Sequence, residues 1–396
     1  METSPRARRY DAIVVGAGPA GSHAARLLAD QGYGVALVDR NHGPRCEIVC
    51  SGIIGSEAHQ KLELSEEDVV QELRRASFFS PGGHEVPHET EKPFAYVVER
   101  TCFDGLLLDR ALRAGADYIP GASARDLEVD RDGIAIHLEG DNASVKVVGE
   151  IVLVATGHQH WFRHRTNVGI PRRYVHGIHV DVPFRPIEAA ELYFGNEIAP
   201  GFFAWVVPSG PGRARLGILA HRRGDALFRR FLQSPPVRNR IGPRVFEENG
   251  VRFSSRGLVQ GLVRPSYAER LLLIGEAAGH VKTTTGGGIH YGILGAEIAA
   301  DVAIEGFRGK GFAAEKLKRY DERCAARFGG EVRSGLALQR IARSMKDEQI
   351  DLLFEALRNG LGKTVRKVVR FDWHRQALQA LFMGWAGRQR ILSGGS

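Results

Sequence analysis

Cysteine is scarce in this chain. Only Cys46, Cys50, Cys102 and Cys324 occur in 396 residues, too few for a disulfide framework and in keeping with a reducing, cytoplasmic compartment. Long apolar runs are missing too. Ile151 to Ala155 is short and Gly292 to Ile304 is broken by Glu297 and Asp301, whereas a bilayer span needs roughly 20 residues. Any membrane contact is therefore expected to be peripheral. The stretch after Arg6, Arg8 and Arg9 is expected to be strand and turn rather than a signal peptide, because it carries Gly16, Gly18, Pro19, Gly21 and His23. No internal repeat, low-complexity tract, Walker motif, zinc-finger spacing or RNA-binding aromatic signature is present, so nucleic acid is not an expected partner.

What is present describes an α/β enzyme. Hydrophobic residues make up 43%, charged residues 25%, and 48 glycines supply many tight turns. The length suits one dinucleotide-binding domain with a second domain folded from its insertions. A net charge of +8 favours anionic partners: a phosphorylated cofactor, a phosphorylated lipid or an anionic surface.

The first unit reads as βαβ. Asp11 to Val15 is a buried strand, Gly16 to Gly21 a turn, Ser22 to Gln31 a helix and Gly34 to Val38 a second strand. Gly16, Gly18 and Gly21 have the G-x-G-x-x-G spacing, in which glycines allow a tight turn, close approach of a pyrophosphate and packing of helix on strand. Ala20 lies in the same loop. Asp39, followed by Arg40, ends the second strand, where a carboxylate accepts hydrogen bonds from ribose hydroxyls. This fingerprint alone does not separate FAD from NAD.

Arg100 to Ala114 reads as a helix and Ile151 to Ala155 as a parallel strand. From Tyr174 to Ala220 short alternating runs broken by Pro and Gly predict an antiparallel sheet. Leu271 to Ile274 restores a buried strand, Gly288 to Ile304 a helix, and the remainder past Ala313 reads as helical. The expected architecture is a Rossmann-type FAD-binding domain (1–75, 96–160 and 262–305), an inserted antiparallel-sheet substrate domain (76–95 and 161–261) and a helical C-terminal region (306–396).

A second motif, Leu271-Leu272-Leu273-Ile274-Gly275-Glu276-Ala277-Ala278-Gly279-His280 followed by Gly286-Gly287-Gly288-Ile289, resembles the second flavin signature of the group that includes aromatic hydroxylases and geranylgeranyl reductases. Cys50-Ser51-Gly52-Ile53, Arg100-Thr101-Cys102-Phe103-Asp104 and Phe203-Ala204-Trp205-Val206-Val207-Pro208 are similar to segments of the geranylgeranyl reductases. Glu276 stands where that family usually has Asp, and Phe203 and Val207 replace Tyr and Phe.

The resemblance implies FAD held by Gly16, Gly18, Ala20, Gly21, Asp39, Arg40, Arg100, Gly275, Glu276, Gly286, Gly287, Gly288 and Ile289. It implies a prenyl-chain cavity at Phe203, Trp205 and Pro208, and the saturation of prenyl double bonds by hydride from reduced flavin. Cys50, then Tyr291, then His290 are the expected proton donors. The substrate would be a prenyl lipid or prenyl diphosphate, and the electron donor NADPH or reduced ferredoxin. Two other readings share the flavin motifs: an FAD-dependent aromatic monooxygenase or halogenase, and a membrane-associated electron-transfer flavoprotein.

On residues alone, Cys50 reads as a small packing side chain, and Cys46 with Cys50 as no redox pair. His158, His160 and His164 lack further ligands at metal spacing, so no metal is expected. The tail interleaves Arg358, Lys363, Arg366, Lys367, Arg370, Arg375, Arg388 and Arg390 with Phe371, Trp373, Phe382 and Trp385, opposed by Asp372 alone. That pattern suits either an anionic membrane surface or a basic face packed on the enzyme through its aromatics.

Overall fold

The computed structural model describes residues 8–44, 50–140, 144–159, 161–242, 252–362 and 370–380. Cys46, His160 and the tail residues Lys363, Arg366, Lys367, Phe382, Trp385, Arg388 and Arg390 lie outside them.

One sheet has six strands, in the order Tyr267–Ala268, Leu271–Leu273, Ile151–Val154, Ala12–Val15, Val35–Val38 and Asp117–Ile119. All its pairings are parallel except the first. Ala12–Val15, Val35–Val38 and Ile151–Val154 are buried at every position, because both faces of the sheet are covered. Ala12 and Val14 face a core shared with the helices Pro19–Ala29 and Ile289–Glu305, while Ile13 and Val15 face Ile134, Ile136 and Leu138. Ala12–Val15 has Val35–Val38 on one side and Ile151–Val154 on the other. Such a switch point opens a crevice at the carboxyl ends of the strands, where Gly16 begins its loop.

Two features differ from the sequence reading. The first helix starts at Pro19 rather than Ser22, because proline at the first helical turn gives up an amide hydrogen that had no partner there. The stretch 122–149 forms a meander of Ala122–Val129, Ile134–Gly140 and Ser144–Gly149 that packs beneath the parallel sheet. Its signal was the Asp132-Gly133 turn between alternating runs, where Asp130 donates its N–H to the Gly133 carbonyl.

The second large sheet has seven strands, ordered Ser254–Val259, Tyr174–Pro183, Arg213–Ala220, Ala204–Gly210, Ala190–Tyr193, Arg75–Phe79 and Glu85–Glu89. Ile178, Val206, Leu216 and Ile218 line the face packed by Phe228 and Phe231 of the helix Gly224–Gln233. The alternate residues form the opposite face, on which Gly217 pairs with both His179 and Trp205. That face meets the parallel-sheet body: Arg215 donates to the carbonyls of Val98 at 3.0 Å and Ser51 at 3.3 Å.

The long helix Ala314–Ser344 lies on the turn after Leu271–Leu273, and the Thr283 hydroxyl donates to the Val332 carbonyl at 2.8 Å. Close approach depends on Gly335, where a Cβ would sit 2.3 Å from the Thr283 hydroxyl. Among the described residues no helix is long and apolar enough to cross a membrane.

Several imidazoles are enclosed by this packing. Burial holds His280 down at about 3. Burial, with the nearby Arg215, holds His179 at about 4, and burial, with Lys282, does the same for His374. An unfolded imidazole titrates near 6.5, so these groups leave stability intact above that pH. As pH falls from about 6.5 toward 4, the unfolded chain takes up protons that the folded chain refuses, and stability drops. The urea midpoint is therefore expected to fall between pH 7 and pH 5, each such histidine contributing up to about 1.4 kcal/mol per pH unit. His280→Gln should make the dependence shallower. A midpoint that stays flat over this range would contradict the account.

Candidate functional site

The glycine loop is shaped by close contacts. Gly16 has a φ of +109°, and a Cβ there would lie 2.5 Å from the Ala155 carbonyl oxygen. A Cβ on Gly21 would lie 1.8 Å from the Gly16 carbonyl oxygen, so only glycine lets the helix Pro19–Ala29 seat against the turn. Gly18 is different, since a Cβ there would meet nothing within 4 Å. The loop thus presents open space at the N-terminus of a helix, where free amides and the helix dipole favour a phosphate. Asp39 accepts from the Ala17 N–H at 2.7 Å and from the Asn41 N–H at 2.8 Å, which fixes its carboxylate beside the loop. Arg40 is exposed.

The second glycine segment reaches the same place. A Cβ on Gly275 would lie 3.0 Å from Ala20 Cβ, and one on Gly292 would lie 3.5 Å from it. Two segments over 250 residues apart therefore converge on one turn, as a single cofactor bridging them requires. Glu276 pairs with Arg256. Its Oε1 is buried without a hydrogen-bond partner among the described residues, and burial raises its carboxyl against the pull of Arg256. The open Gly18 cradle, the Ala20–Gly275 contact and the orphaned carboxylate oxygen fit FAD, whose pyrophosphate and ribityl hydroxyls would supply the missing partners. Gly286 has a φ of +74° and Gly287 lies beside Lys282, while Gly288 and Ile289 open the helix Ile289–Glu305.

Two carboxylate-paired arginines and a neutral imidazole surround Cys50. Arg100 forms a two-pronged pair with Asp104, at 3.0 and 2.9 Å, and also hydrogen-bonds Cys50. The Cys50 sulfur accepts the Gly52 N–H at 3.3 Å and is half-buried. Arg215 closes over Gly52, where a Cβ would lie 2.2 Å from its guanidinium. His179 hydrogen-bonds the Cys50 backbone, and its Nδ1 is buried without a partner among the described residues. Arg215, His179 and Arg256 escaped the sequence reading, because the face of the strand on which each lies shows only in the sheet register.

Trp205 stands next to this cluster, its indole lying over the bare Gly217. Phe203 stacks edgewise on Trp205 with 6.2 Å between ring centres, and Phe194 follows at 5.8 Å. These rings stay partly exposed, whereas Pro208 is buried.

Tyr291 and His290 sit elsewhere. The Tyr291 hydroxyl donates to the Asp372 carbonyl at 3.0 Å, and burial pushes it well above its ordinary range. His290 is buried 3.6 Å from Glu57 and edge-on to Trp373, with its imidazole held below the usual range by burial. Both thus belong to a contact with the C-terminal segment, which composition had placed in a basic tail.

The sequence profile of the FAD binding domain family matches residues 9–333. The chain is 31% identical over 369 residues to digeranylgeranylglycerophospholipid reductase 2 of Methanopyrus kandleri, covering 88% of this chain and 90% of that one. Its fold is like that of a geranylgeranyl bacteriochlorophyll reductase-like protein of Thermoplasma acidophilum, with a TM-score of 0.85, 20% identity and coverage of 98% and 99%. It is less like the flavin-dependent brominase Bmp2, with a TM-score of 0.70, 15% identity and coverage of 98% and 100%.

The loop geometry separates two lesions at neighbouring glycines. Gly18→Val should fold with near-normal stability, since its backbone is extended and its surroundings are open, yet be purified without flavin. Gly21→Ala should lose about 1–3 kcal/mol or more through the clash with Gly16. Flavin absorbance after heat release and the thermal midpoint distinguish the two. Full flavin occupancy in Gly18→Val would move the phosphate site elsewhere.

Proposed function

This chain belongs to the FAD binding domain family, in its geranylgeranyl reductase branch, and on that footing we propose that it saturates carbon–carbon double bonds of a prenyl chain. The substrate is a prenyl lipid, such as the glycerophospholipid in the name of its relative, or a prenyl diphosphate. One observation carries the reading. The second flavin segment touches the aromatic wall: a Cβ on Gly286 would meet Leu219 at 3.1 Å, and Leu219 shares an apolar cluster with Trp205. A hydrocarbon held on that wall lies against the flavin segment.

Bound in its reduced form, FAD supplies the hydride. The chain's own residues do the rest. Trp205 and Phe203 align the prenyl chain and keep water from the reacting carbons. Cys50 is our choice for the group that hands a proton to the second alkene carbon. Tyr291 and His290 stand behind it, because the first is engaged by the Asp372 carbonyl and the second lies beside Glu57. Arg100 fixes Cys50 from one side and lies within electrostatic reach of Glu276 on the other. Electrons come from NADPH or reduced ferredoxin, and the lipid is drawn from a bilayer by peripheral contact.

The test is an anaerobic assay of the purified holoenzyme with dithionite, NADPH or reduced ferredoxin against prenyl lipids, prenyl diphosphates and aromatics. We expect a mass gain of two hydrogens per double bond on prenyl substrates. Rapid oxygen consumption with NAD(P)H and an aromatic, without alkene reduction, would instead identify a monooxygenase or halogenase. Trp205→Ala should keep its FAD while kcat/KM falls by on the order of 10-fold or more. An unchanged substrate profile with a large loss of stability would make Trp205 a packing residue only.

A further inference from the structure

The segment Phe371–His374 is stitched into the interior by bonds to three separate parts of the chain, at Glu57, at Lys282, Thr284 and Tyr291, and at Glu331. Asp372, 3% exposed, pairs at 2.8 Å with Lys282, itself 6% exposed and part of the second flavin segment. The Lys282 ammonium also lies 4.3 Å from the centre of the Phe371 ring. The Trp373 indole N–H donates to Glu57 at 2.6 Å, His374 Nδ1 meets the Thr284 hydroxyl at 2.6 Å, and the His374 N–H donates to Glu331 at 2.8 Å. Close packing at Gly55 completes the fit, since a Cβ there would lie 2.0 Å from the Asp372 carboxylate and 2.8 Å from the Phe371 ring.

The polar bonds belong to Asp372, Trp373 and His374, with the Phe371 carbonyl accepting from Lys282 at 3.4 Å, and the side chain they leave over is that of Phe371. It packs on the apolar cluster of Leu73, Ala95, Val97 and Val207 that also carries Trp205 and Ile53. Its ring centre lies 6.1 Å from that of Phe94. Phe371 remains partly exposed although both of its neighbours in the fold, Lys282 and Asp372, are buried. This partly exposed ring packs against the cluster that holds Trp205 and lies beside Lys282 of the flavin segment, next to the aromatic wall assigned above to the prenyl chain.

We propose that Phe371 is a specificity-determining residue of the prenyl cavity, delivered there by the buried Lys282–Asp372 pair. The ligand it meets is the hydrocarbon of the isoprenoid chain, and ring size at this position sets the chain length the cavity accepts. The proposal rests on the prenyl reductase reading above.

The test compares wild-type holoenzyme with Phe371→Ala, Phe371→Leu and Phe371→Trp, using geraniol, farnesol and geranylgeraniol as probes. Binding to the oxidised enzyme is read by perturbation of the flavin spectrum, and reduction by product mass. FAD content should match wild type in all the variants. Phe371→Trp should weaken geranylgeraniol binding at least 10-fold while sparing geraniol, Phe371→Ala should weaken all the probes and flatten the preference, and Phe371→Leu should lie between them. Asp372→Asn tests the anchor, with the same loss of preference expected together with faster tryptic cleavage after Arg370 and Arg375. Should wild type bind and reduce prenyl probes while every Phe371 variant keeps its preference, the inference fails and the reductase reading stands. Should wild type neither bind nor reduce them, the reductase reading fails and the inference falls with it. Asp372→Asn that keeps both wild-type preference and wild-type protease resistance would remove the ion pair from the account.

Discussion

The site depends on one close approach, that of Gly21 to the Gly16 carbonyl oxygen, which leaves no room for a side chain. It seats the helix Pro19–Ala29 at the carboxyl end of the middle strand, with the space at Gly18 open in front of its first amides. Ala20, carried on the same turn, then becomes the surface on which Gly275 and Gly292 rest. The second flavin segment is thus positioned by backbone approach, and the helix Ile289–Glu305 that follows is buried along its first two turns. Moving the first helix outward by one methyl group would shift both halves of the cofactor site together.

Around this apolar contact the charges are arranged in pairs between distant segments. Arg100 holds Asp104 on its own helix and reaches Cys50, Arg256 brings the wide sheet to Glu276, and Lys282 brings the C-terminal segment to the flavin loop. Burying such groups costs more than their attraction returns unless the remaining hydrogen bonds are made, so their worth lies in orientation more than in stability. Among the described residues the Glu276 Oε1 and the Arg256 Nε have no hydrogen-bond partner, so the network is incomplete there. A ligand with hydroxyl and amide groups would complete it.

The parts legible in the sequence were those with a local pattern. Gly16, Gly18, Gly21 and Asp39 announced the loop through spacing, and Ile151–Val154 announced a buried strand through an unbroken apolar run. The antiparallel sheet showed itself through alternation from Tyr174 onward. Hidden features were those in which register decides direction. Nothing local distinguishes His179 from His176, yet one turns toward Cys50 while the other is exposed. The tail misled for a related reason: Phe371, Asp372 and Trp373 sit among basic residues, so composition alone could not reveal that Asp372 is buried against a lysine 90 positions earlier.

That pairing would let the proposed hydrocarbon cavity be built partly from a polar segment. The hydrogen bonds and the ion pair that fix Phe371–His374 run to Lys282, Glu57, Thr284, Tyr291 and Glu331, and none of them is made by the Phe371 side chain. Were the segment held by apolar contacts alone, its hold would have to compete with the prenyl chain for the same surface, because the hydrophobic effect does not discriminate between the two. Directional polar bonds are not exchangeable with a hydrocarbon, so the wall can bind its ligand without being displaced by it. The burial cost of Lys282 and Asp372 is what separates the contact that builds the wall from the contact that the wall offers.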